Sequence, residues 1–378
     1  MQLVNQAEFP AELFRAQLFY RDLLMATVVV KAAFEVRNGI VVPAEEQLAV
    51  SEADIETPYG SVDGDAVPIK QGCDLAVLGH AIVPGGRAVR SMSVTVRIGG
   101  FSQQLRVLGD RAWVPAGEGH RITDPVPFNV MPLDYTRAYG GWAHHTDELG
   151  GPYPENPDGC GFVVRKTNVA GTRLPNLEDP AEPITQWQQR PTPVALIPPP
   201  RQSGLRGGRG INVDMESQRI SYRPLAFNFA HPKLLLDAYP GGEQVDIEGM
   251  SESGRWRFTL PPLSFGARVR LGSREHDLAL IPDTLCLLPR HQRLYVVARR
   301  ALVYQFLPER ERSITVFRAP EPVRDTPTST ISRERASASP SVVIEPDNPD
   351  ELPLPLEELI ANYPLSSIID SLPLCASG

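Results

Sequence analysis

The sequence predicts a mainly β fold: a large β-sandwich-like body of two packed sheets or subdomains, with long irregular loops. Three observations carry this expectation. Thirty-eight prolines and thirty glycines interrupt the chain too often for long helices, while short strands joined by turns accommodate them. Alternating apolar and polar runs recur, with the period of a strand that buries one face. Dipeptides that favour tight hairpin turns stand between such runs.

In chain order, Thr27 to Val36 is rich in β-branched and aromatic residues and reads as a strand. Asn38-Gly39 then supplies the pair favoured in a type I′ turn, and Ile40-Val41-Val42 begins the return strand. Ser91 to Ile98 alternates, with Met92, Val94, Val96 and Ile98 on one face and Ser91, Ser93, Thr95 and Arg97 on the other. Gly99-Gly100 turns it back into Gln104 to Leu108. From Ala143 to Arg223 periodic runs give way to Pro, Gly and Asn, the composition of functional loops or disorder. Trp256, Phe258 and Leu260 alternate with Arg257 and Thr259, and Leu294 to Phe306 reads as a long strand after the polar turn Pro289 to Arg293.

After Phe317 the composition changes. A body over residues 1–318 is expected to give way to a disordered linker, 319–350, crowded with Pro, Ser, Thr and charge. An acidic-apolar tail, 351–378, follows. From Glu345 to the end there are seven acids and no base. Leu356, Leu359, Ile360 and Tyr363 fall at helical spacing, and Ile368, Ile369 and Leu372 form a second apolar group after Pro364. The tail therefore reads as a tethered docking peptide whose groove belongs to a partner, to a second copy or to this chain's own body.

Composition excludes several classes of function. With 45 acids against 37 bases the chain lacks the basic excess that phosphate backbones demand, so nucleic acid is not expected as a partner. Only four basic residues are lysines, Lys31, Lys70, Lys166 and Lys233. Cys73, Cys160, Cys286 and Cys375 are far apart and form neither a zinc pattern nor a disulfide framework. The first residues, MQLVNQAEFPAELFR, carry acids where a secretory signal carries positive charge, and no apolar run is long enough for a membrane span. A cytoplasmic protein with reduced thiols and no membrane partner is expected.

Catalytic signatures are missing too. No GxSxG elbow, HExxH helix or kinase set occurs. His144-His145 with Asp147 and Glu148 offers four possible metal ligands in five residues, but adjacent side chains diverge and no second cluster accompanies them. Gly204 to Gly210, GLRGGRG, lacks the Lys-Ser/Thr ending and the preceding strand of a phosphate loop. Glu178-Asp179 reads as a turn. No catalytic, metal or cofactor-binding residue is expected.

The most specific stretch lies between Met131 and Pro180. It reads MPLDYTRAYGGW (Met131 to Trp142), NPDGCGF (Asn156 to Phe162) and LPNLEDP (Leu174 to Pro180), with GDRAW (Gly109 to Trp113) upstream and PDTLCLLP (Pro282 to Pro289) downstream. Gly140-Gly141 allows a bend with positive φ. Around it Tyr135, Arg137, Tyr139 and Trp142 form either a rigid corner or an aromatic-arginine surface of the kind enriched in protein-binding hot spots. Leu174, Leu177 and Glu178 either anchor their loop or present it. These seven residues, with Leu356, Leu359, Ile360 and Tyr363 of the tail, are the candidate partner-binding set.

These blocks, together with GCDLAVLGHAIVPGG (Gly72 to Gly86), resemble in order the domain-of-unknown-function 2169 (DUF2169) family over roughly Val28 to Arg300. The resemblance implies a non-enzymatic cytosolic adaptor or chaperone of the bacterial type VI secretion system. Such a protein would recognise one effector toxin, often through a proline-alanine-alanine-arginine repeat (PAAR) tip domain, and load it onto the VgrG spike. One loop departs from the family: RQSGLRGGRGINVD stands where a GTYDxxW-like stretch is common. The competing expectation is an enzyme or carbohydrate-binding β-protein whose site lies in residues 143–223.

Overall fold

A computed structural model describes residues 1–17, 23–143, 150–206, 211–214, 219–222, 227–271, 274–305, 312–319 and 354–355. Strands dominate. The first are β1 (Gln2–Gln6), β2 (Ala11–Gln17), β3 (Leu23–Arg37), β4 (Ile40–Pro43), β5 (Ile55–Thr57), β6 (Gly60–Val62), β7 (Cys73–Val77) and β8 (His80–Ile82). Next come β9 (Ser91–Ile98), β10 (Phe101–Leu108), β11 (Trp113–Ala116), β12 (Gly119–Ile122), β13 (Val130–Pro132), β14 (Tyr139–Gly140), β15 (Cys160–Gly161) and β16 (Leu177–Glu178). The remainder are β17 (Ile211–Asp214), β18 (Arg219–Tyr222), β19 (Leu235–Leu236), β20 (Gln244–Glu248), β21 (Arg255–Thr259), β22 (Phe265–Leu271), β23 (Arg274–Leu288), β24 (Arg293–Gln305), β25 (Arg312–Arg318) and β26 (Leu354–Pro355). Helical structure among the described residues is confined to 3-10 turns, and none of it is long and apolar enough to cross a membrane.

The larger sheet follows the order β1-β25-β22-β23-β24-β3-β2, with β4, β7, β19 and β26 attached to its members. It curls until its two end strands, β1 and β2, touch, so it forms a nearly closed barrel. The smaller sheet, β16-β10-β9-β20-β21, packs against it across one shared core. Val94, Val96, Ile98, Val245, Ile247, Trp256 and Phe258 meet Val28, Val30, Phe34, Leu285 and Val297 there.

Local chemistry accounts for the strand ends. Asn38 (φ 54°) and Gly39 (φ 78°) both take the positive φ of a type I′ turn, and they register Arg37 against Ile40. Gly99-Gly100 joins β9 to β10 with Ile98 opposite Phe101, three residues earlier than the sequence reading placed the return strand. β23 forks. Its first half pairs with β22, but the register breaks between Pro282 and Thr284, and from Ile281 onward the strand pairs with β24. Proline in a ladder removes a donor and favours such a bulge.

A chain of buried polar contacts sits beside that fork. Arg299 Nε donates to Asp283 (2.6 Å), and its Nη1 donates to the backbone oxygens of Asp65 (2.6 Å) and Val67 (3.1 Å). Thr284 Oγ1 accepts from Lys70 Nζ (2.9 Å), which also pairs with Asp74 at 2.8 Å. Lys31 pairs with Asp65 at 2.9 Å. Asp74 further accepts from Asn228 Nδ2 and from the amides of Phe229 and Ala230. The network thereby fastens the irregular segments around Asp65 and Asn228 onto the barrel wall. Two of the four lysines serve it, and losing one partner of such a buried pair costs about 3–5 kcal/mol.

Candidate functional site

The signature blocks fold onto one another. Asp134 accepts from Thr136 N (2.9 Å) and caps the 3-10 turn Tyr135–Arg137, which leads into β14. Gly140 (φ 143°) and Gly141 (φ 95°) then bend the chain through the region that side chains resist. The bend is packed as well as strained: a Cβ on Gly140 would lie 2.1 Å from the Asn156 carbonyl oxygen, and one on Gly141 would lie 2.5 Å from that of Gly159.

Asn156, fully buried, is the clamp. Its Nδ2 donates to the carbonyls of Tyr135 (2.8 Å) and Tyr139 (3.0 Å), and its own carbonyl accepts from Gly141 N (2.9 Å). β14 and β15 pair in parallel, with Tyr139 opposite Cys160 and Gly140 opposite Gly161. Asn176 does the same work for the third block, with Nδ2 on Leu108 O and Asp110 Oδ1 (both 3.0 Å) and its amide on Arg137 O (2.8 Å). Arg111 Nη2 holds Glu178 (2.7 Å) and Pro175 O (2.8 Å).

Five of the candidate residues are therefore interior. Tyr135, Tyr139, Leu174, Leu177 and Glu178 are each at most 4 % exposed. Tyr135 and Leu177 join the main core, and Tyr139 and Leu174 join a second cluster with Trp113, Val163, Val169 and Ile184. The corner reading replaces the surface reading for all five, because each side chain is spent on packing or on a buried ion pair. Arg137 is half-buried, close to Asp110 (3.6 Å) and Asn176 (3.3 Å). Trp142 alone among the seven stands out, 57 % exposed. Leu356, Leu359, Ile360 and Tyr363 lie outside the described residues, as do His144, His145, Asp147 and Glu148 and the end of the GLRGGRG run from residue 207.

Trp142 flanks a cleft of about 570 Å³ floored by Gly140, Gly141, Gly159, Cys160 and Gly161. Phe162, Val163 and the exposed Val164 line it, and Asn168, Thr172 and Arg173 supply its polar edge. Arg190 stacks on Phe162 (5.1 Å to the ring centre) and donates to Val163 O, bracing that wall. Arg173 leans on Asp110 (3.2 Å). Burial pushes the Cys160 thiol up, which keeps it protonated and weakly nucleophilic at neutral pH. Burial and then Glu155 push the Tyr153 phenol up to about 12. Among the described residues, no group of three His, Cys, Asp or Glu side chains is placed to hold a metal. The cleft is thus a largely apolar, glycine-floored recess.

The NPDGCGF block is visible in the sequence, but the roles of Asn156, Gly159 and Cys160 within it are not, and Val164 and Arg173 lie outside the signature blocks. The available signal was the asparagine before a glycine-rich run, paired with a second glycine-rich run upstream. A family model described as "Uncharacterized protein conserved in bacteria (DUF2169)" matches residues 21–299. No curated protein and no solved structure matches the chain.

Proposed function

Because the chain belongs to the DUF2169 family of proteins conserved in bacteria, we propose that it is a non-enzymatic adaptor. It binds a cognate type VI secretion effector in the cytoplasm, through that effector's PAAR-type tip domain, and loads it onto the VgrG spike. The observation that carries the reading is the cleft beside Trp142. The residues that distinguish the sequence are used to build a rigid corner, and that corner presents one large aromatic side chain to solvent beside an apolar recess. Aromatic side chains that become buried against a partner dominate protein-binding energetics.

Deleting the gene should stop delivery of one effector while the secretion machine still fires. Trp142→Ala should weaken co-purification with that effector about thirtyfold or more, the scale of a hot-spot residue. Loss of all secretion on deletion, or normal delivery of every effector, would end the adaptor reading.

The same cleft supports a second reading, because it draws much of its lining from the irregular stretch 143–223. A tryptophan beside glycines is also a stacking surface for a sugar ring. Titrating mono- and oligosaccharides while following tryptophan emission, in wild type and Trp142→Phe, separates the two. Saturable binding that leaves effector delivery independent of Trp142 favours the carbohydrate reading.

A further inference from the structure

β24 pairs with β3 along its whole length, but its other edge pairs with β23 only from Arg293 to Arg299. The fork at Pro282 carries the first half of β23 away to β22. Beyond the fork β24 meets β26, in antiparallel register, with Leu302 opposite Pro355 and Val303 opposite Leu354. Leu302 and Val303 already face Ala26 and Met25 on the β3 side. β26 therefore lies along the edge that β23 has left.

The edge of a strand carries amides and carbonyls that need partners, and an uncovered edge templates the addition of another chain. The present occupant is small. β26 spans two residues, and Pro355 has no N–H to donate, so the ladder cannot run on through it. Residues 320–353, which lie outside the described residues, join β26 covalently to β25, and a covalent join of this kind sets an effective concentration on the order of millimolar. Such a segment covers the edge readily and gives it up readily.

We propose that this edge of β24 is a docking strand for an extended apolar segment of a partner protein, which adds to the sheet by β-augmentation, and that β26 covers it in the isolated chain as an internal competitor. A second copy of the chain is the weaker occupant, since it would offer the same two-residue, proline-bearing segment without the advantage of the tether. The proposal rests on the adaptor reading for the identity of the partner alone. The exchange itself belongs to this chain.

The test uses the full-length chain in a Cys375→Ser background. Val303→Cys with Leu354→Cys places thiols on directly opposed residues, within the span of a disulfide. On mild oxidation this pair should close within one chain about tenfold faster than Val303→Cys with Ser341→Cys, whose second thiol has only the tether's proximity. A synthetic peptide of residues 349–358, at about ten times the effective concentration, should slow closure roughly tenfold. The same peptide with Asp at the position of Leu354 should leave closure unchanged. Equal closure of the two pairs overturns the proposal, as does closure indifferent to the peptide. Disulfide-linked dimers overturn it by assigning the edge to a second copy. None of these results depends on an effector, so failure here is distinguishable from failure of the adaptor reading.

Discussion

A methyl group on Gly140 would collide with the Asn156 carbonyl at a φ of 143°, whereas one on Gly85 (φ 71°) would meet nothing within 4 Å. The two glycines separate close approach from backbone strain. Gly85→Ala is expected to cost about 1 kcal/mol from strain alone, and Gly140→Ala about 3 kcal/mol or more because the clamp must also open. Urea denaturation of both variants measures the difference, and equal losses would mean that the corner relaxes. Asn156→Ala leaves the buried Tyr139 carbonyl without a donor and the Tyr135 carbonyl with only its longer bond from Ala138 N (3.3 Å), and should cost about 2–3 kcal/mol. Trp142→Ala is expected within about 0.5 kcal/mol of wild type, since its side chain is mostly in water. A surface aromatic that is neutral for stability and costly for binding is the signature the adaptor reading requires.

The segment that enters β19 carries a titration of its own. His231 is 2 % exposed, its Nδ1 accepts from Lys233 N (2.9 Å), and burial, then Lys233, lower its pKa to about 4. The unfolded chain binds this proton near pH 6.5 and the folded chain does not until about 4. Stability is therefore whole above pH 6.5 and falls as pH drops from 6.5 toward 4, by up to about 3 kcal/mol. Melting temperatures from pH 7.5 to 4.5 should slope downward in wild type and flatten in His231→Gln. An unchanged slope would place the titrating group elsewhere. A second window lies lower. Arg255, followed by Arg257 once burial's opposing effect is set aside, lowers the Asp246 carboxyl to about 2. Its contribution is present above the ordinary carboxylate pKa and is lost only as pH falls through about 2.

At the scale of the whole molecule, both sheets draw on one core. Unfolding should be a single transition, with Trp256 in the main core and Trp113 in the second cluster reporting the same midpoint as far-ultraviolet dichroism. Separate midpoints would show that the signature corner melts independently. Much of this architecture was legible in residue order, because hairpins are local: Asn38-Gly39 set its turn, the alternation of β9 put Val94, Val96 and Ile98 inside, and Trp256, Phe258 and Leu260 followed the same rule. What stayed hidden depends on partners far along the chain. Lys70 looks like any surface lysine until Asp74, Thr284 and Phe229 close around it. Tyr139 looks like a binding aromatic until Gln189 and Tyr153 cover it. The pairing of β1 with β25 carries a mechanical consequence. The two strands run parallel, with Gln2 beside Ser313 and Gln6 beside Phe317. A pull on the chain before β1 against a pull after β25 drags them past each other lengthwise, so their bonds bear load together and cannot peel one at a time. Stretched in this direction in an optical trap, the body should yield at high force in one step.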